Sequence, residues 1–518
     1  MFRPFALALA LAAAPLAAQP LVRTADGVLA GKAERGVEAY LGVPYAAPPT
    51  GALRWRAPQP ARGWTGQRDA SRFGPACYQD VSRGFGPYTA EFVAPAPVSE
   101  DCLLLNVWKP AGARRKLPVL VYIHGGAFAG GAGHVPIYDG AALARRGMVV
   151  VTINYRVGVF GFLAHPGLTA EHDGSGNFGL LDQVAALRWV RANAARFGGD
   201  PARVTIAGES AGAASVNDLQ VMPSARGLFA RAVSISGSSM AIDTPTLASG
   251  EADGTALAQK LGAASIADLR SIPAEQLIAA TRFVPGAGPR RLVYVPHVDG
   301  MVLPADPADP AAQRASRVPL LTGFNGAEMT DLTVRTPAAL EAALRARYGS
   351  FADKLLALYP HGTDAEAQAS NALVARDRYM AGLLIWAEGR RQHGAAPIWL
   401  YRHDWPYPAV RGGQEWGAFH SASLPYVFGT IGQGDRQFGP ADRKLSERWQ
   451  AVIQRFAATA NPALPGRPWS AAGAGTTQVM AFGQTQGADI ARTPAVSTPE
   501  RLAAWRAYAA AGGKLGLM

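Results

Sequence analysis

Cysteine is nearly absent from this 518-residue sequence: only Cys77 and Cys102 occur, beside nine histidines. Two cysteines are too few for a small disulfide-held scaffold, and no Cys/His cluster has zinc spacing, so no metal is expected. No cofactor is expected either. Internal repeats, low-complexity linkers and shifts of composition are also missing, which excludes a solenoid and leaves nothing to divide the chain. Length alone would allow about three domains, yet without a divider residues 19–518 read as a single domain. Charge is sparse, at 17% of residues against 49% apolar, which excludes a disordered or fibrous chain and fits a globular protein with a large core. The formal net charge of +12 gathers only in short pairs such as Arg114-Arg115, Arg145-Arg146, Arg290-Arg291 and Arg390-Arg391. Nucleic-acid binding would need a basic stripe with stacking aromatics or a known module, and the sequence has neither.

Residues 1–18 carry one early positive charge, Arg3, then an apolar run from Ala6 to Ala14, then Pro15, Leu16, Ala17 and Ala18. That is the layout of a secretory signal peptide cut near Ala18, and its apolar core is too short to be a transmembrane segment. The chain is therefore expected to be exported, to a periplasm or out of the cell. An oxidising compartment allows Cys77 and Cys102 to pair; closing that loop is worth roughly 3 kcal/mol in the chain-entropy account. Two free thiols are the alternative.

The chemistry is concentrated at Gly208-Glu209-Ser210-Ala211-Gly212, which follows the apolar stretch Ala202 to Ala207. A serine hydroxyl becomes a useful nucleophile when a tight turn between strand and helix presents it to a base, and G-x-S-x-G is the sequence form of that turn. Ser210 is the candidate nucleophile. The small residues after it let a helix from Ala211 to Val221 lie close beneath. Three other short β-branched runs, Pro118 to Ile123, Met148 to Ile153 and Ala232 to Ser236, read with Val204 to Ala207 as strands buried on both faces. Between the second and third of the four, Asn177 to Phe197 has the apolar spacing of a helix, at Leu181, Val184 and Leu187. Strands separated by helices imply an α/β fold with a parallel sheet and right-handed crossovers. Val318 to Thr322 and Ile398 to Tyr401 read as two more strands. The regions 240–310 and 335–395 have a helical pattern and are expected to form an inserted cap, while the proline-rich surroundings of Gly51 to Trp55 suggest an irregular N-terminal wrap.

Acyl transfer also needs donors for a developing oxyanion, a base and an acid. His124, Gly125, Gly126, Ala127 and Phe128 follow the strand ending at Ile123, and small residues there let peptide N–H groups face open space. Gly126 and Ala127, joined by Ala211, are the expected donors, with Gly125 in support, each donor worth about 3 to 4 kcal/mol. In a strand–nucleophile–helix fold the chain order is serine, acid, histidine. That order removes His124, His134, His165 and His172. His403 stands too close to its strand, and His420, on a later loop, is favoured over it and over His297, His361 and His393. Glu328 and Asp331 both lie just past the strand at Val318, and position alone leaves the acid open between them.

These segments resemble the type-B carboxylesterases, the family that includes the cholinesterases, over nearly the whole mature chain. Phe197 to Gly212 is similar to the family's nucleophile signature and Ser99 to Trp108 to its second signature around a disulfide cysteine. Leu41 to Ala46, Pro49 to Trp55, Asn154 to Arg156 and Asn177 to Gln183 add further matches. The resemblance implies the α/β-hydrolase fold, a sheet flanked by helices with inserted cap regions, and an esterase that uses a small-molecule ester and water. By the same carry-over the acid falls on Glu328, the base on His420, and Cys77 pairs with Cys102. It also places Glu209 beside the nucleophile and makes Ser236 a supporting serine. Two departures stand out. Ser421 and Ser423 occupy positions where the family usually has glycine and an acidic residue, and Glu91 to Pro95 lacks the tryptophan that holds choline in cholinesterases, which argues against a choline ester. Rival readings are a binding or adhesion protein that has kept the fold, and an amide, lactone or polyester hydrolase using the same residues.

Overall fold

Alternation of side chains along buried strands explains the layering. In Leu117–Ile123, Val119, Val121 and Ile123 point to one core, while Leu120 and Tyr122 point to another. A strand that is apolar on both faces needs a helical layer on each. The computed structural model describes residues 19–516 except 82–85, 114–115, 173, 238–243, 283–291, 329, 474 and 484–488. The expected signal peptide, residues 1–18, and the pairs Arg114-Arg115 and Arg290-Arg291 lie outside the described residues.

Among the described residues the main sheet has eleven strands. In chain order they are Lys32–Glu34 (β1), Val37–Pro44 (β2), Leu104–Pro110 (β3), Leu117–Ile123 (β4), Val149–Ile153 (β5), Gly199–Glu209 (β6), Arg231–Ile235 (β7), Leu320–Asn325 (β8), Ile398–His403 (β9), Gln478–Phe482 (β10) and Ile490–Pro494 (β11). Their order across the sheet is β11-β10-β9-β8-β7-β6-β4-β5-β3-β2-β1. The strands from β4 to β10 pair parallel, and antiparallel pairs close both margins. Helices Phe178–Asn193 (α1) and Ala211–Val221 (α2) fill one face through Leu180, Val184, Leu187, Val216 and Leu219. Helix Pro440–Thr459 (α3) covers the other with Trp449, Val452, Ile453 and Phe456. This is the α/β-hydrolase fold.

Register brings the strand ends level. Ile123 sits opposite Gly208, Glu209 opposite Ile235, and Ile235 opposite Gly323. The loops after β4, β6, β7 and β8 therefore emerge together at the carboxyl edge of the sheet, where ligands bind in open α/β folds.

Several boundaries differ from expectation. The strand expected over Val318 to Thr322 begins after Pro319 and runs on to Asn325. Gly323 does not end it: a β-carbon there would lie 2.2 Å from the Tyr401 carbonyl oxygen, so glycine admits a close neighbouring strand. The N-terminal wrap is irregular over residues 45–66, interrupted by one short 3-10 turn at Gly51–Leu53, while β1 and β2 before it extend the sheet. Trp55 is fully buried, its indole N–H donating to Val159 O at 2.8 Å, under helices Leu247–Leu261, Ile266–Ser271 and Ala274–Thr281. Helix in the expected cap ends at Thr281 on this side; among the described residues up to 310 that follow, none is helical, and Pro304, Pro307 and Pro310 remove backbone donors there.

Candidate active site

Ser210 stands where β6 turns into α2, with φ 57° and ψ −123°. A serine held there costs about 1 to 3 kcal/mol, supplied by the packing around it. Its N–H donates to Ile235 O at 3.0 Å, tying the turn to β7. The glycines on either side are sterically required. A β-carbon on Gly208 would lie 2.2 Å from Gly212 O, and one on Gly212 would lie 2.1 Å from Ile123 O.

The loop after β4 passes alongside. Gly126, Ala127 and Phe128 have φ of 116°, 56° and 57°, a succession that turns amide groups to one side. Among the described residues, the N–H groups of Gly126, Ala127 and Ala211 have no acceptor. The loop is held from behind. His124 is buried, stacked on Tyr155 with ring centroids 4.4 Å apart, and its Nδ1 lies 2.8 Å from Gly125 O. The Gln79 amide accepts from Gly131 N at 2.7 Å and donates to Gly131 O at 2.8 Å and Cys77 O at 2.9 Å. A disulfide joins Cys77 to Cys102, so this clamp is anchored at a covalent link. Sequence reasoning passed over Gln79; its only signal was its place two residues after a cysteine.

His420 lies on the loop between β9 and the short helix Leu424–Phe428. Its Nδ1 is 3.2 Å from Glu328 Oε2, and its Nε2 is 3.3 Å from Glu209 Oε1. The second oxygen of Glu328 accepts from Asn325 N at 2.7 Å and from the Ser236 hydroxyl. Asn325 Nδ2 donates to Phe419 O at 2.8 Å, and Ala327 N to Ala418 O at 3.1 Å, so the Glu328 and His420 loops are strapped together. Tyr88, from the disulfide loop, donates to His420 O at 3.0 Å. Asp331, the other acid left open, is exposed and folds its carboxylate onto the N–H and hydroxyl of Thr333, which hold its pKa down. The remaining histidines have other partners or places: His165 accepts from Gly167 N, and His403 ends β9 with Trp449 Nε1 donating to its Nδ1.

A β-carbon on Gly125 would lie 2.8 Å from Glu209 Oε2 and 2.9 Å from Ser210 Cβ, which puts the Ser210 side chain and the Glu209 carboxylate around one small space. Burial pushes the Glu209 carboxyl up, opposed by His420 and by the Ser421 hydroxyl. Burial by itself would push His420 down, but the charges of Glu209 and Glu328 outweigh it and hold the imidazole at about 9. A groove of about 360 Å³ bordered by Lys32, Phe73, Trp108, Arg145 and Thr430 shares no residue with this site. Among the described residues no group of three or more His, Cys, Asp or Glu is placed to hold a metal ion, and no helix is long and apolar enough to cross a membrane.

Comparison with known proteins gives consistent matches. The family model described as the carboxylesterase family matches residues 18–498. The chain is 37% identical over 469 residues to the fumonisin B1 esterase of Sphingopyxis macrogoltabida, covering 86% of this chain and 84% of that protein. It is 37% identical over 478 residues to the para-nitrobenzyl esterase of Bacillus subtilis (strain 168), covering 87% and 92%. A solved PNB esterase structure superposes with a TM-score of 0.77 at 34% identity, covering 93% of this chain and all of the other.

Proposed function

On the footing that the chain belongs to the carboxylesterase family and is a carboxylic ester hydrolase, we propose that it works through an acyl-enzyme on Ser210. His420 takes the hydroxyl proton at Nε2 as Ser210 attacks the ester carbonyl, then gives it to the departing alcohol. Glu328 accepts from Nδ1–H, fixing the tautomer and stabilising the imidazolium. The N–H groups of Gly126, Ala127 and Ala211 receive the oxyanion, at about 3 to 4 kcal/mol per donor. Water repeats the sequence on the acyl-enzyme and releases the acid.

The observation that carries this reading is the set of peptide N–H groups without acceptors beside a serine in a strained turn. Gly126 is exposed, Ala127 half-buried and Ala211 buried, so these donors are free to turn to a negative oxygen formed at Ser210, which binds them more strongly than water does. In the free enzyme Nε2 faces Glu209, and catalytic hydrogen bonds often shorten only when substrate is bound. The exchange of partner from Glu209 to Ser210 is local, since both side chains border the same space.

Export by the N-terminal segment belongs to the same proposal. Ser210→Ala should abolish hydrolysis of p-nitrophenyl acetate while the circular dichroism spectrum stays unchanged; wild-type turnover by that variant rejects the mechanism.

A further inference from the structure

Ser421 follows the proposed base in sequence and adopts φ 74°, in the left-handed region that favours glycine. Its hydroxyl donates to Glu209 Oε1 at 2.6 Å. The same oxygen faces His420 Nε2 at 3.3 Å. Two donors thus compete for, or share, one buried carboxylate oxygen. Nε2 is a donor to that oxygen only while protonated, and it must lose that proton before it can accept one from Ser210.

We propose that Ser421 is a positioning residue for ester hydrolysis: its hydroxyl supports the bare Glu209 carboxylate once His420 has lost its Nε2 proton. The inference rests on the base role given to His420 above. The active resting form has a neutral imidazole and an ionised Glu209. The inactive form holds one more proton, on His420 or shared with Glu209, and the two groups titrate as a pair. With that proton present, the carboxylate has an imidazolium beside it or is itself neutral, and it depends little on Ser421. With the proton gone, the hydroxyl is the donor left on Oε1. Removing it therefore destabilises the active form more than the inactive one.

The sign follows. Losing the hydroxyl raises the pH at which the pair releases its proton, and activity at a given pH on the acid limb falls. The other groups facing the pair do not reverse this. Glu328 stays against Nδ1, and burial keeps the phenols of Tyr88, Tyr122, Tyr138, Tyr155 and Tyr401 protonated.

The test is the pH dependence of kcat/KM, which reports free-enzyme groups, for Ser421→Ala and Ser421→Gly. Both should move the acid limb upward by about one pH unit, the scale of a hydrogen bond to a charged group. Alanine keeps the disfavoured φ and glycine relieves it, so agreement between them isolates the hydroxyl from the backbone. In a Glu209→Gln background neither substitution should shift the limb further. An unmoved or lowered limb in the single variants, or a shift that persists without Glu209, overturns the proposal. Glycine suits this backbone, and an unchanged melting temperature will show the variant folded. If Ser210→Ala retains turnover, the underlying mechanism fails instead; if that variant is dead and the limb does not move, only the role of Ser421 fails.

Discussion

Glu328 and His420 are separated by 92 residues, yet Oε2 of the first lies 3.2 Å from Nδ1 of the second. Asn325 and Ser236 fix the carboxylate through its other oxygen, so its direction is set before substrate arrives. Glu328→Gln keeps the shape and removes the charge proposed to orient and stabilise the imidazolium. We expect kcat to fall about 10³- to 10⁴-fold, on the scale of other triad acids, with the fold retained. A loss below tenfold in steady-state kinetics would show that another group orients Nδ1.

The pH profile should be displaced as well. A general base must be neutral, and the Glu209 and Glu328 charges hold His420 at about 9 against the opposing effect of burial. Activity should therefore rise through the alkaline range, with its acid limb above that of an ordinary histidine. Glu209→Gln removes one of the two charges and should move the limb to lower pH. A limb near 6.5 in the wild type, or one that rises in the variant, contradicts this reading of the site.

Gly125→Ala tests the oxyanion loop. The new β-carbon would meet Glu209 O at 2.6 Å and Ser210 Cβ at 2.9 Å, and the carbonyl cannot yield. The loop must retreat, carrying Gly126 and Ala127 with it. We expect kcat to fall by about 10²- to 10³-fold, the effect of losing an oxyanion donor, with a small change in KM. Unchanged kcat would mean that these amides do not face the reacting oxygen.

A buried ion pair offers a stability test. Arg156 and Asp182 are both nearly inaccessible, and the carboxylate accepts from Arg156 N at 3.0 Å, Nε at 2.8 Å and Nη2 at 2.7 Å. Asp182→Asn strands the guanidinium, and breaking such a pair from one side costs about 3 to 5 kcal/mol. Urea unfolding measures it. A cost under about 1 kcal/mol would indicate that water or another acceptor replaces the aspartate.

Much of the fold could be read directly from residues. The inner strands are β-branched runs buried on both sides, and periodicity locates α1. Strands β1, β2, β3, β10 and β11 escaped: β1, β10 and β11 are short, and β2 and β3 are broken by Glu38, Gly42, Asn106 and Lys109, so none shows a distinctive period. Gly323 looked like a strand end, although its purpose is to admit Tyr401. At the site, local pattern singled out Ser210 and the glycines around it. Pattern could not separate Glu328 from Asp331, since both follow the same strand and they differ only in their contacts: Asn325, Ser236 and His420 for Glu328, Thr333 for Asp331. It was also blind to partners distant in sequence. Arg156 and Asp182 fall in two separate family-like segments, as do Arg54 and Glu100, joined at 2.7 Å, and nothing local announces either pairing.

The acyl-enzyme mechanism is tested most directly by incubating the protein with a fluorophosphonate and locating the adduct by mass spectrometry of its peptides. One equivalent should attach to Ser210, with loss of esterase activity in proportion, and Ser210→Ala should take up none. Stoichiometric inactivation with the label on another residue, or full activity after Ser210 has been modified, would contradict it.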